Sequence, residues 1–172
     1  MFSNEYQGAL LETTRLVLRP LSVTDEREIF LLRSDPSVNK YLDRPLAKST
    51  EDARSFIEKI IAGGNSGSSY YWAITQKDED VLLGTACIWN IDEQNRSAEI
   101  GYELLPAQQG KGYMKEVIEA IIAFAFTELK LERLDACMDQ RNERSAALVL
   151  KSGFRFIGEK DGEHQYILEN KI

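Results

Sequence analysis

The sequence predicts an α/β (α+β) protein: a mixed, mostly antiparallel seven-stranded sheet with helices on both faces. Three observations carry this. Seven short runs rich in β-branched and aromatic residues are bounded by Gly, Pro, Asn and Asp. Three of them, between Tyr70 and Leu105, follow one another across short polar turns, as in an antiparallel meander. Four segments of helical apolar periodicity give the order β-α-α-β-β-β-α-β-α-β-β, which puts helices on both faces of the sheet.

Taken in order, Arg15–Arg19 alternates polar and apolar residues and ends at Pro20, so it reads as a strand. Thr24 or Asp25 caps a helix running to about Arg33, which Asp35-Pro36 stops. Ser49-Thr50-Glu51-Asp52 resembles a capping box, and Ala53, Phe56, Ile57, Ile60 and Ile61 form the apolar stripe of the helix behind it. The run 63–69, GGNSGSS, reads as a mobile loop inside one domain. Tyr70–Thr75, Val81–Ile91 and Ser97–Leu105 are the meander. A helix from Gly112 to about Leu129 carries Met114, Val117, Ile118, Ile121, Ile122 and Ala125 on one face. Arg133–Met138 is a strand, and Asn142 or Glu143 starts a short helix that Gly153 ends. Phe154–Gly158 and Gln165–Leu168 form a closing hairpin around Asp161-Gly162.

At 172 residues, with 43% hydrophobic and 28% charged residues, the chain is expected to form a single domain over 1–172. A net charge of −7 disfavours a broad grip on nucleic acid and suits a cationic acceptor or simple solubility. Cys87 and Cys137 read as small core residues in a reducing compartment. The N-terminal stretch lacks the pattern of a signal peptide, and the most apolar run, Val117–Phe126, is too short to span a bilayer. The expected location is cytoplasmic, with no membrane partner and no metal.

Most informative is Ser97–Met114: a strand ending at Pro106, then Gln109-Gly110-Lys111-Gly112-Tyr113-Met114 opening a helix. This is neither a Walker loop, which needs GxxxxGK[ST], nor a dinucleotide fingerprint, since Lys115 stands where the third glycine belongs. Closely spaced amides at a helix N-terminus suit a pyrophosphate; a glycine hinge at a helix start is the other reading of the same residues.

In these residues the chain resembles the GCN5-related N-acetyltransferase (GNAT) superfamily, in its RimJ/RimL-like branch that modifies ribosomal-protein N-termini. The likeness runs from Leu11-Glu12-Thr13-Thr14-Arg15-Leu16-Val17-Leu18-Arg19-Pro20 through Trp72-Ala73-Ile74, Ala98-Glu99-Ile100-Gly101-Tyr102 and Pro106–Glu116. It ends with Asn142-Glu143-Arg144-Ser145 and Lys151-Ser152-Gly153-Phe154. It implies the GNAT fold, with the sheet splayed between its fourth and fifth strands, and acetyl-CoA as cosubstrate. Gln109, Gly110, Lys111, Gly112, Tyr113 and Met114 would then hold the pyrophosphate, main-chain groups near Leu104 and Leu105 the pantetheine, and Asn142 and Ser145 would face the thiol. Lys151 would meet a CoA phosphate or be solvated. Two positions depart from the superfamily pattern: Ala107 replaces a frequent Gln or Arg, and Val149 a frequent tyrosine acid. The resemblance also implies a homodimer.

Direct transfer to an amine needs a base, because an alkyl amine is protonated near neutrality. Glu99 is the candidate, sharing a strand face with Gly101 and Glu103; a solvated carboxylate is the alternative and Glu103 the second choice. Ser145 is the candidate acid for the leaving sulfur, or a helix-start serine bonded locally. His164 reads as a surface histidine. The expected function is acetyl transfer from acetyl-CoA to a primary amine, such as the N-terminus of a ribosomal protein. Alternatives are a small-molecule acceptor (polyamine, amino sugar or amino-acid-like) and a non-catalytic CoA-binding protein.

Overall fold

A computed structural model describes residues 9–64 and 67–171. In its first strands the side chains of Leu16 and Leu18 are wholly buried and those between them are not, the alternation that makes β2 (Leu16–Pro20) one-faced. The chain ahead of it folds back as a further strand, β1 (Leu11–Glu12), so the sheet has eight strands rather than the expected seven. The cause is local: Thr13 turns the chain, its N–H donating to Leu16 O (2.9 Å) and its hydroxyl accepting from Leu16 N–H (3.0 Å).

Two helices follow, α1 (Glu26–Ser34) and α2 (Thr50–Gly64). Asp25 is the N-cap residue of α1, one of the two expected positions, and its side chain completes a capping box with Ser22 around the single 3-10 turn that leads into the helix. Asp25 is buried and bound by Arg19 at 2.7 Å. At the start of α2, Ser49 Oγ accepts from Asp52 N–H, and the Asp52 carboxylate accepts from Lys48 N–H. The helix extends to Gly64, so part of the expected 63–69 loop is helical; Asn65 and Ser66 lie outside the described residues, as do residues 1–8 of the N-terminal stretch read for a leader.

The meander is β3 (Tyr70–Gln76), β4 (Gly84–Asp92) and β5 (Ser97–Leu104). Strand β4 starts three residues later than the sequence suggests, at Gly84, where a Cβ would come within 2.2 Å of Glu103 O. Only glycine lets the end of β5 lie this close. After α3 (Tyr113–Thr127) come β6 (Arg133–Asp139), α4 (Glu143–Lys151), β7 (Arg155–Lys160) and β8 (Glu163–Glu169). Sheet order is β1-β2-β3-β4-β5-β6-β8-β7, and every neighbouring pair is antiparallel except β5–β6.

One face packs on α3 and α4 around Leu16, Trp72, Ile88, Ile118, Ile121 and Leu134; the other packs on α1 and α2 around Ile29, Leu32, Ala53, Ile57 and Ala73. Trp72 is fully buried, meets the Phe124 ring edge-on at 5.6 Å and donates from its indole to Ala9 O. Helices therefore cover the middle of the sheet on both faces, while Trp89 on β4 and Phe156 and Ile157 on β7 stay exposed. Residues Ser97, Ala98 and Glu99 pair with Arg133, Leu134 and Asp135, and pairing stops there although β5 runs to Leu104 and β6 to Asp139. That opening is the splay, and it positions the site.

Candidate active site

The glycine loop lies at the mouth of the opening. Gly110 and Gly112 both adopt the left-handed conformation, at φ 78°. Gly112 caps α3 without any side-chain hydrogen bond, so the first amides of α3 have no partner from a capping side chain. Nothing lies within 4 Å of a Cβ built at Gly110. Arg15 braces the loop from behind: it donates to Lys111 O at 2.9 Å, pairs with Glu116 and stacks on the Tyr113 ring. Met114 and Tyr113 are buried, with the Tyr113 hydroxyl accepting from Gln76, so only their main-chain N–H groups can serve a ligand. The Lys111 side chain is exposed beside Gln108. A loop whose carbonyl is pinned backward, whose glycines leave open space and whose helix end is uncapped fits an anionic diphosphate.

Within the splay, Leu105 N–H donates to Leu83 O, which fixes the phase of β5. Odd-numbered residues bond β4, and the main chains of Tyr102 and Leu104 turn toward β6, where no strand meets them. The main chain of Leu104 thus turns toward the opening, its carbonyl accepting from Gln109. Leu105 does not: its N–H is held by Leu83 and its carbonyl accepts from Gln108 N–H, because the chain turns into a 3-10 turn at Pro106. Gln109 bonds Leu104 O with its amide nitrogen and accepts from Arg144 with its amide oxygen, tying the loop to the start of α4. Arg144 carried no sequence signal beyond its place in the Asn142–Ser145 run.

Asn142 caps α4, accepting from Ser145 N–H at 3.2 Å, so the structure displays its helix-capping role directly. The Ser145 hydroxyl meets the Tyr102 hydroxyl at 2.5 Å, joining α4 to β5. Burial pushes the Tyr102 phenol up to about 12, so it stays protonated throughout the neutral range. Val149, at the place of the frequent tyrosine, is fully buried in the core. Lys151 is exposed in the last turn of α4, about 13 Å along the axis from Asn142 by helical rise, and is not gathered with the rest.

On the other face, Glu99 stands between Trp89 and Asp135. Partial burial, then the negative charges of Glu163 and Asp135, raise its carboxyl to about 7, against a lowering hydrogen bond from the Cys137 thiol. Burial and the same carboxylates push that thiol up to about 12. Further along β5, Glu103 is paired with Arg44 at 2.6 Å, and Arg44 is held in turn by buried Asn39 at 2.7 Å. Gly101 keeps the floor between the two glutamates low. Tyr41 stacks against Arg141, which pairs with Asp139 at the end of β6. The 35–49 segment thereby meets the far end of β5 through Arg44 and the end of β6 through Tyr41. The structure separates the candidates by face: Glu99 and Glu103 on this side, Tyr102 and Ser145 on the other, with the splay between. His164 lies against Phe156, opposite Met138 on β6. Among the described residues, no group of three or more His, Cys, Asp or Glu side chains is arranged to hold a metal, and no helix is long and apolar enough to cross a membrane.

A mixed sheet opened at its one parallel pair, beside a glycine loop and a helix end, defines an acyltransferase of the GNAT type. Comparison with known families agrees: the acetyltransferase (GNAT) domain matches residues 15–155, and the chain belongs to that family. It is 34% identical over 162 residues to the uncharacterized N-acetyltransferase YoaA of Bacillus subtilis (strain 168), covering 94% of this chain and 89% of that protein. It is 25% identical over 160 residues to the [ribosomal protein uS5]-alanine N-acetyltransferase of Escherichia coli (strain K12), covering 88% and 79%. Among solved structures, the ribosomal L7/L12 α-N-protein acetyltransferase RimL in complex with coenzyme A superimposes with a TM-score of 0.82 at 20% identity, over 94% of this chain and 98% of that one.

Proposed function

We propose that this N-acetyltransferase uses acetyl-CoA to acetylate a primary amine, and that the amine is the N-terminus of a protein. The observation that carries the reading is the end of β5–β6 pairing at Glu99. Unpaired main chain and a carboxyl raised to about 7 stand at this opening, and the bond from Gln109 of the glycine loop to Leu104 O beside it supports the reading. The relatives named for ribosomal-protein acetylation support the protein acceptor.

Acetyl-CoA held there supplies the activated acyl group as a thioester. The amides of Gly110–Met114 hold its diphosphate, and the main chains of Tyr102 and Leu104 pair with its pantetheine arm as an added strand would. Glu99 takes a proton from the entering ammonium; a carboxyl near neutrality accepts that proton and releases it to water within one turnover. The Tyr102 N–H, on the open side of β5, is the donor available to a developing oxyanion. Ser145 gives a proton to the departing sulfur. Holding amine and thioester on the two sides of one opening supplies much of the acceleration.

The test is thiol release from acetyl-CoA with a panel of acceptors: short peptides with free N-termini, a polyamine and an amino sugar. The reading predicts turnover with peptides. Turnover confined to a small amine would move the acceptor to that class, and tight CoA binding without turnover on any amine would make the chain a non-catalytic binder.

A further inference from the structure

The geometry points to Tyr102 as a positioning residue: its phenol aims the hydroxyl of Ser145 at the departing sulfur. This rests on the reading above and deepens it.

Three structural facts support it. First, the two hydroxyl oxygens lie 2.5 Å apart, and Tyr102 is the partner the structure assigns to the Ser145 hydroxyl. Second, the pair bridges the splay, from β5 to the first turn of α4, at a level where β5 and β6 no longer bond each other. Third, the phenol lies half-buried among apolar neighbours and so keeps its proton across the neutral range. A neutral phenol is a better donor than an aliphatic alcohol, so Tyr102 donates and Ser145 Oγ accepts. The hydrogen of Ser145 is then directed away from the phenol. The Ser145 N–H is spent on Asn142, which fixes the side chain at the start of the helix. The remaining direction is the opening.

The amine nitrogen bonds to the acyl carbon as the carbon–sulfur bond breaks. The sulfur takes the hydrogen of Ser145, Ser145 Oγ takes that of Tyr102, and water restores the phenol. Nitrogen loses two protons, one as the ammonium becomes a free amine and one as the amide forms; Glu99 takes the first, releases it to water, and then takes the second. A phenol in this place does for the serine what the superfamily's helix tyrosine does directly, and here that helix position is the core residue Val149.

Two measurements test it, one without turnover. In the first, the thiol of bound CoA is titrated by its thiolate absorbance in wild-type protein, Tyr102→Phe and Ser145→Ala. A hydroxyl aimed at sulfur favours the thiolate, so the bound thiol should titrate lower in wild-type protein than in either variant. In the second, Tyr102→Phe should lower kcat about tenfold to a hundredfold with little change in the KM for acetyl-CoA. Ser145→Ala should cost little more in that background, since the two act as one unit. An unshifted thiol titration in Tyr102→Phe, or fully additive losses, would overturn the proposal. Should calorimetry show that wild-type protein binds no CoA, the acetyl-CoA reading fails instead. A matching thermal melt for Tyr102→Phe establishes that only a hydroxyl has been removed, and if that variant does not fold, the Ser145→Ala titration decides alone.

Discussion

Glu99 and Asp135 occupy the last rung on which β5 and β6 are paired. Two carboxylates side by side on one sheet face repel, and Glu163 adds a third charge nearby. Beyond this rung the strands diverge. The carboxyl that needs a proton most is therefore the one standing at the edge of the opening.

Glu99→Gln should reduce turnover by about 10²–10⁴ if Glu99 is the base. In wild-type protein kcat/KM should fall as pH drops through about 7, where Glu99 takes up its proton. The variant should lose that limb. A pH–rate profile of unchanged shape in Glu99→Gln would remove Glu99 from the proposed mechanism.

The same group makes a prediction for stability. Its folded-state pKa is raised above that of the unfolded chain, so the folded protein binds more protons over the interval between them. This contribution favours folding below about 4.5, the ordinary value, and is lost as pH rises through about 7. Glu99→Gln should therefore gain in melting temperature relative to wild type from pH 5 to pH 8. A constant difference between the two proteins would show that Glu99 is not desolvated.

The Glu103 side chain is 11% exposed beside Arg44, and Arg44→Ala removes its ion partner. Loss of one member of such a pair should cost about 1–3 kcal/mol in chemical denaturation. It also frees the 35–49 segment from β5, so the KM for the amine should rise while that for acetyl-CoA holds. Equal changes in both would show that this segment does not shape the acceptor side.

Cys137 should resist alkylation. Its thiol is pushed up to about 12, and the thiolate is the reactive form. In native protein at pH 7.5, a maleimide should label it far more slowly than a free thiol in a peptide; comparable rates would contradict the packing described around Glu99.

Much of this was legible in the sequence, and the misses have physical causes. The glycine loop, the meander and the α3 stripe are short-range patterns, and each stands where its residues place it, within a residue or a few at the ends. Strand β1 was missed because two residues carry no alternation to read and the turn depends on one threonine hydroxyl. The resemblance groups Leu105 with Leu104, but the phase of β5 is set by Leu83, twenty-two positions earlier, through a contact no local pattern shows. The alternation did put Tyr102 on the face opposite Glu99. Its partnership with Ser145 joins residues 43 apart in the chain, which only the folded splay brings together. Arg15 is hidden for the same reason, bracing a loop 96 residues away.

The central claim is that main-chain amides after Pro106 hold the diphosphate of an acyl donor at the splay. Calorimetry of acetyl-CoA binding to wild-type protein and to Gly112→Val measures it most directly. Gly112 sits at φ 78°, with Arg15 Nη2 3.3 Å from any Cβ, so valine forces the loop to shift. The account predicts clear binding to wild-type protein and a loss of at least about tenfold in the variant, with the fold retained by circular dichroism. Equal affinity in the two proteins would contradict it.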